Sequence, residues 1–200
     1  MKKDLTELVL ILDRSGSMSG LESDTIGGYN AMLEKQKKEA GEAIITTVLF
    51  DDRYELLHDR INLKGIAPIT DKEYFVRGST ALLDAVGRTI NKIGNVQKHT
   101  AEEQRAEHVM FVITTDGMEN ASREFSYEKI RQMIEHQKSK YGWEFIFLGA
   151  NIDAIATAER FGISKDRATN YNADSEGTLL NYEVISETVS CIRSNSKISE

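Results

Sequence analysis

Leu8-Val9-Leu10-Ile11-Leu12 runs straight into Asp13-Arg14-Ser15-Gly16-Ser17-Met18, and this junction decides the fold. The apolar run is continuous rather than alternating, the pattern of a strand covered on both faces in a parallel sheet flanked by helices. The change at Asp13 to short polar residues and glycine marks the strand's end and the start of a tight turn. Three more runs have the same β-branched or aromatic character: Ile44 through Phe50, Val109 through Ile113, and Phe145 through Leu148. Tyr54 to Leu63 alternates less cleanly, a short turn after Phe50, and reads as an antiparallel edge strand hairpinned to the second run.

Helical patterns lie between these strands. Leu82, Ala85, Val86, Thr89, Ile90 and Ile93 follow one face of a helix, and Gly94 is expected to end it. Weaker stripes fall on Ile26, Tyr29 and Leu33, and on Ile130, Met133 and Ile134, where Ser126 is the expected N-cap. Tyr182, Ile185, Val189 and Ile192 mark a last helix, with Cys191 expected to face the core. Thr70 and Glu73 have capping-box spacing for a short helix. Strands and helices alternate from end to end, which reads as a doubly wound α/β fold. There is no internal repeat or Pro/Gly-rich linker, and Lys98 to Glu107 reads as the join between a helix and the third run. A single domain over residues 1–200 is the expectation.

Composition narrows the function. The 200 residues carry 25 Lys+Arg against 32 Asp+Glu, a net charge of −7, which disfavours nucleic acid or an anionic membrane as partner. Leu8–Leu12 is too short for a signal-peptide core and far short of the ~20 residues that span a membrane. Cys191 is the only cysteine, so no internal disulfide exists, and a cytoplasmic protein is the expectation.

The polar residues gather at strand ends. Asp13, Ser15 and Ser17 follow the first strand, and Thr114-Thr115-Asp116-Gly117 closes the third. Gly78-Ser79-Thr80-Ala81 precedes the strongest helix. In an open parallel sheet, ligands bind beyond the carboxyl ends of the strands, where strand order reverses. Two carboxylates and three hydroxyls offer only hard oxygen donors, which suit Mg²⁺, Mn²⁺ or Ca²⁺. A bland reading makes Asp13, Ser15 and Thr80 helix caps and Asp116-Gly117 a turn. It does not explain why all of them fall on one rim.

Asp13-x-Ser15-x-Ser17, Thr80 in Gly-Ser-Thr-Ala-Leu-Leu-Asp-Ala and Asp116 in Thr-Thr-Asp-Gly resemble the metal-ion-dependent adhesion site (MIDAS) of von Willebrand factor type A (VWA) domains. Val48-Leu49-Phe50-Asp51 and Phe147-Leu148-Gly149-Ala150-Asn151 are similar to stretches of bacterial stand-alone members. The resemblance implies a Rossmann-like sheet of order 3-2-1-4-5-6 with one antiparallel edge strand and helices on both faces. It implies that Ser15, Ser17 and Thr80 ligate Mg²⁺ through hydroxyls while Asp13 and Asp116 act largely through waters and hydroxyl partners. The open position would take a Glu or Asp of a partner protein. Arg14 fills a variable position of the motif.

The expected function is therefore a non-enzymatic, cation-dependent protein-binding module. The alternative is a metal-dependent phosphoryl-transfer enzyme using Asp13 or Asp116 as nucleophile. Against it, serines stand where further carboxylates would be wanted, and no lysine is near the motif. His58, His99, His108 and His136 are scattered, with no zinc spacing, and neither a phosphate-binding P-loop nor a hydrolase nucleophile elbow is present. Asp51, Asp52, Asn151 and Asp153 could line the same rim, Asp153 alternatively capping a helix. Glu119 reads as either a rim residue or a solvated charge, and Lys35-Gln36-Lys37-Lys38 as the exposed end of a helix.

Overall fold

Strand β1 (Lys2–Asp13) lies at the centre of a six-stranded sheet, with β2 (Glu42–Phe50) on one side and β4 (Ala106–Thr115) on the other. The computed structural model describes residues 1–194 of the chain. The sheet order is β3-β2-β1-β4-β5-β6, where β3 is Tyr54–Asn62, β5 Glu144–Gly149 and β6 Ala168–Asn170. Every neighbouring pair is parallel except β2 and β3, so the edge hairpin and the order 3-2-1-4-5-6 are as expected. The three-residue β6 is too short to leave a pattern of its own in the sequence.

The continuous apolar runs are explained by two cores, one on each face of the sheet. Val9, Ile11, Val48, Phe111 and Ile113 pack against α2 (Leu82–His99), α3 (Tyr127–Tyr141) and α4 (Ala154–Arg160). Leu8, Leu10, Leu12, Met110 and Val112 pack against α1 (Glu22–Lys38) and α5 (Ser175–Arg193). Alternate residues of each strand serve opposite faces, so neither face can be polar. Burying a large aliphatic or aromatic side chain is worth about 1.5–3 kcal/mol, so β1 and β4 form the anchor of the fold.

Several local expectations are corrected. Gly94 lies inside α2, which continues to His99, because the packing of Ile90 and Ile93 holds the helix down past a lone glycine. Thr70 and Glu73 do form reciprocal hydrogen bonds, but they close a turn rather than start a helix. Gln36 is buried, its amide donating to Ser186 O at 2.8 Å across the α1–α5 contact, so the basic run is exposed on one side only. Cys191 is half-buried, and its neighbour Ile192 fills the core. Ser126 does cap α3, accepting from the Lys129 backbone NH. Among the described residues no helix is long and apolar enough to cross a membrane.

The sheet order fixes where a site can form. The chain leaves β1 for β2 on one side and returns to β4 on the other, which opens a crevice at the carboxyl ends of β1 and β4. Leu12 pairs with Thr114, so Asp13 and the Thr115-Asp116 pair emerge side by side.

Candidate metal centre

Three loops meet in that crevice. The turn after β1 carries Asp13, Ser15 and Ser17, and the loop entering α2 carries Thr80. The loop leaving β4 carries Asp116 and Gly117. Thr80 Oγ1 donates to Ser15 Oγ at 3.0 Å, and Ser15 Oγ lies 3.0 Å from Ser17 Oγ. Ser17 Oγ donates to Asp116 Oδ1 at 2.5 Å. Asp13 stands behind this row: its Oδ1 accepts the Ser15 NH at 2.6 Å and its Oδ2 the Thr115 hydroxyl at 2.5 Å. All five expected residues are thus brought together. Asp13, Ser15, Thr80 and Asp116 are 1–3 % exposed while Ser17 is exposed, so the cluster is open on one side only.

The capping reading fails in detail. Thr80 is not the N-cap of α2; Ala81 is, and the Thr80 hydroxyl turns toward Ser15. Helix α1 begins after Leu21, and neither Asp13 nor Ser15 caps it. Asp13 instead folds its own turn through the Ser15 NH, freeing the serine hydroxyls for the crevice.

Two features test whether a cation fits. Asp116 Oδ2 is buried and without a hydrogen-bond partner, although buried polar atoms almost always have one. A Cβ placed on Gly117 would fall 2.8 Å from Thr80 Oγ1, 3.0 Å from Ser17 Oγ and 3.6 Å from Ser15 Oγ. The hydroxyls therefore converge on a point that only glycine leaves empty. Among the described residues no three His, Cys, Asp or Glu side chains group as a metal site, so the donor set here is hydroxyl-rich and hard.

The electrostatics agree. Burial pushes the Asp13 carboxyl up to about 6, against the hydrogen bonds from Thr115 and Ser15, and the nearby Asp116 charge adds to the rise. Burial likewise raises Asp116, with the Ser17 hydroxyl opposing it. Among the described residues no cationic side chain figures in the influences on either group. Two desolvated carboxylates without a counter-ion are where a dication has most to gain.

Around the five residues stands a supporting set whose contacts the sequence did not show. Asn120 Oδ1 accepts the Thr80 NH at 2.9 Å, and the Asn120 and Ala121 NH groups donate to Thr80 O, so Thr80 is held from both sides. Glu119 is neither a rim ligand nor a solvated charge. Its carboxylate accepts the Leu83 NH at 2.9 Å, filling the first turn of α2. Asp84 accepts the NH groups of Arg123, Glu124 and Phe125 at 2.9–3.0 Å and fastens the same loop to α2. The Tyr74 hydroxyl donates to Asp13 O at 2.7 Å. Asp153 caps α4 through the Ala156 NH. Apart from the Asp153 cap, which the sequence indicates, these roles depend on loops meeting in space, and no periodicity marks them.

No family model matches the chain, and no curated protein matches it. Solved structures do. The vWF domain of the type V pili tip protein Mfa5 from Porphyromonas gingivalis superposes with a TM-score of 0.65 at 12 % identity, covering 97 % of this chain and 98 % of that one. Manganese-loaded TRAP protein of Plasmodium vivax matches at 0.60 and 16 % identity, over 90 % of this chain and 72 % of that one. Proximal thread matrix protein 1 from the mussel byssus, with a zinc-occupied MIDAS motif, matches at 0.62 and 11 % identity. That match covers 92 % of this chain, which spans about half (46 %) of the mussel protein's length.

Proposed function

We propose that this chain, which has the von Willebrand factor type A fold, is a divalent-cation-dependent binding module that captures an acidic side chain of a partner protein. The observation that carries the reading is the unpartnered, buried Asp116 Oδ2 beside three converging hydroxyls in a crevice without a counter-ion. Ser15, Ser17 and Thr80 would hold the metal through their hydroxyls. Asp13 and Asp116 would orient those hydroxyls and supply the balancing charge. Mg²⁺ is the resident ion that the oxygen donors fit, with Mn²⁺ or Ca²⁺ as substitutes. When bound, the metal supplies an electrophilic position that a Glu or Asp carboxylate can fill. Metal-loaded relatives of the same fold, with zinc in one and manganese in another, support a divalent ion here.

The geometry favours binding over phosphoryl transfer. A nucleophilic aspartate needs a free oxygen facing substrate, yet both Asp13 oxygens accept hydrogen bonds and the residue is buried, and the one unpartnered oxygen of Asp116, Oδ2, is buried as well. The guanidinium groups beside the turn, Arg14 and Arg77, are committed to Asp51 and Glu55.

Calorimetry in chelator-treated buffer tests the metal. Mg²⁺ or Mn²⁺ should bind the wild-type chain at about one site, and Asp13→Ala should remove that binding. Wild-type affinity in the variant would refute the site. An array of peptides with and without Glu or Asp, probed in Mn²⁺ and in EDTA, then tests the ligand; retention unaffected by EDTA would refute acidic capture through metal.

A further inference from the structure

Arg14 sits between two residues of the proposed centre, at the position the motif leaves variable, and its side chain is fully buried. Its Nε donates to Asp51 Oδ2 at 3.0 Å and its Nη2 to Glu55 Oε2 at 2.6 Å. Arg77 reaches the same Asp51 oxygen at 2.6 Å, and both guanidinium groups lie 5.3 Å from the Phe75 ring. A buried ion pair is a poor way to gain stability, because an apolar side chain of equal volume avoids the desolvation cost. Here the cost is plain, since Arg14 Nη1 is left without a partner. What the planar fork supplies is direction: it fixes its own backbone relative to two carboxylates at once.

That direction joins the two loops bearing the hydroxyl donors. Asp51 directly follows β2; its carboxylate takes Arg14, the neighbour of Ser15, while its carbonyl accepts the NH of Ala81, the neighbour of Thr80, at 2.9 Å. The loops are also tied directly, Arg77 NH to Arg14 O at 2.9 Å and Gly16 NH to Gly78 O at 3.1 Å. Gly78 has φ +67°, a left-handed conformation that brings the chain close to Asp52. One residue, Asp51, thus grips both donor loops from outside the crevice.

We infer that Arg14 and Asp51 are positioning residues of the metal centre, an ion pair that sets the spacing between the Ser15–Ser17 turn and Thr80. The inference rests on the metal-binding reading above and adds to it residues that touch no ligand. Octahedral Mg²⁺ tolerates little error in donor placement, and partners behind the ligands of a metal typically govern affinity by about 10–100-fold.

The test is Mn²⁺ calorimetry on wild-type, Arg14→Met and Arg14→Lys chains, each with its circular dichroism and thermal midpoint in EDTA. Arg14→Met leaves Asp51 bonded to Arg77 and to the Arg53 NH, so no carboxylate is stranded. It should fold, melt within a few degrees of wild type, and bind Mn²⁺ about tenfold or more weakly. Arg14→Lys, which keeps the charge but not the fork, should lose about threefold. A folded Arg14→Met chain with Mn²⁺ affinity within twofold of wild type would overturn the inference. Should Arg14→Met not fold, Arg14→Lys decides: undiminished Mn²⁺ affinity in that variant overturns it equally. A wild-type chain that binds no Mn²⁺ would remove the metal centre and this inference together, and that result is read in the wild-type arm alone.

Discussion

Strand β1 buries two carboxylates, Glu7 near its middle and Asp13 at its end, and the chain treats them in opposite ways. Glu7 is closed off by the protein's own groups. Arg60 reaches it through Nε at 2.7 Å and Nη2 at 3.3 Å, and the Gln97 amide donates to its second oxygen. Asp13 has only neutral donors, a backbone NH and the Thr115 hydroxyl, and a second acid beside it. Nor is cationic charge absent from its surroundings, for Arg14 is its chain neighbour and Arg77 lies on the adjoining loop, and both turn toward Asp51. A buried acid given its own arginine is a structural joint. One denied an arginine while others stand close by is, on the proposed reading, a seat for a cation from outside.

The largest expected effect breaks the seat without removing any donor. Gly117→Ala places a methyl 2.8 Å from Thr80 Oγ1 and 3.0 Å from Ser17 Oγ, inside the volume on which the hydroxyls converge. Mg²⁺ and Mn²⁺ binding should fall by about 100-fold or more, roughly 2.7 kcal/mol, as read by calorimetry. The metal-free fold should persist, because the nearest atoms the methyl meets are hydroxyl oxygens, which can turn away. Retained affinity would show that the ion sits elsewhere.

The second effect falls on the joint. Glu7→Ala strands Arg60 against Gln97. Breaking a fully buried pair costs about 3–5 kcal/mol, and the Arg60 side chain, 22 % exposed, recovers part of its hydration. A loss near 3 kcal/mol is expected, lowering the thermal midpoint by roughly 6–12 °C, with Mn²⁺ affinity unchanged. A parallel loss of metal binding would mean that the two carboxylates of β1 are coupled and the contrast between them is false.

The two regions also differed in how far the sequence disclosed them. The convergence of Asp13, Ser15, Ser17, Thr80 and Asp116 was legible because each sits at an abrupt change between an apolar run and short polar residues, where backbone pattern and donor chemistry coincide. The sheet and its order were legible for a related reason: unbroken runs such as Leu8–Leu12 require a core on both faces. Glu7 and Arg60 gave no such signal. Their pairing joins positions 53 residues apart across β1, β2 and β3, and Arg60 adopts φ +52° near an irregularity in the β2–β3 register. Arg14 looked dispensable because only the fold brings Asp51 beneath it. Gly94 misled because a glycine late in a helix looks like a terminator until its packing, here beside Gln137 of α3, is known.

The smallest effect separates the two carboxylates most directly. If Asp13 truly lacks compensation, neutralising it should help the metal-free chain, whereas neutralising Glu7 should harm it. Asparagine at position 13 keeps the shape, and its oxygen can still accept the Ser15 NH. Its amide can donate to Thr115 Oγ1, which already has Gly117 O within 3.2 Å as an acceptor for its own proton. No hydrogen bond is lost, while the desolvated charge that raises the Asp13 carboxyl to about 6 disappears. At pH 7 that charge costs the fold on the order of 1–3 kcal/mol, so Asp13→Asn should melt about 2–12 °C higher than wild type in EDTA. In saturating Mg²⁺ the order should reverse, because only the wild-type chain gains the binding energy of the ion. A variant that melts lower than wild type in both buffers would show that the folded chain already balances Asp13 from within, and the distinction between joint and seat would fail.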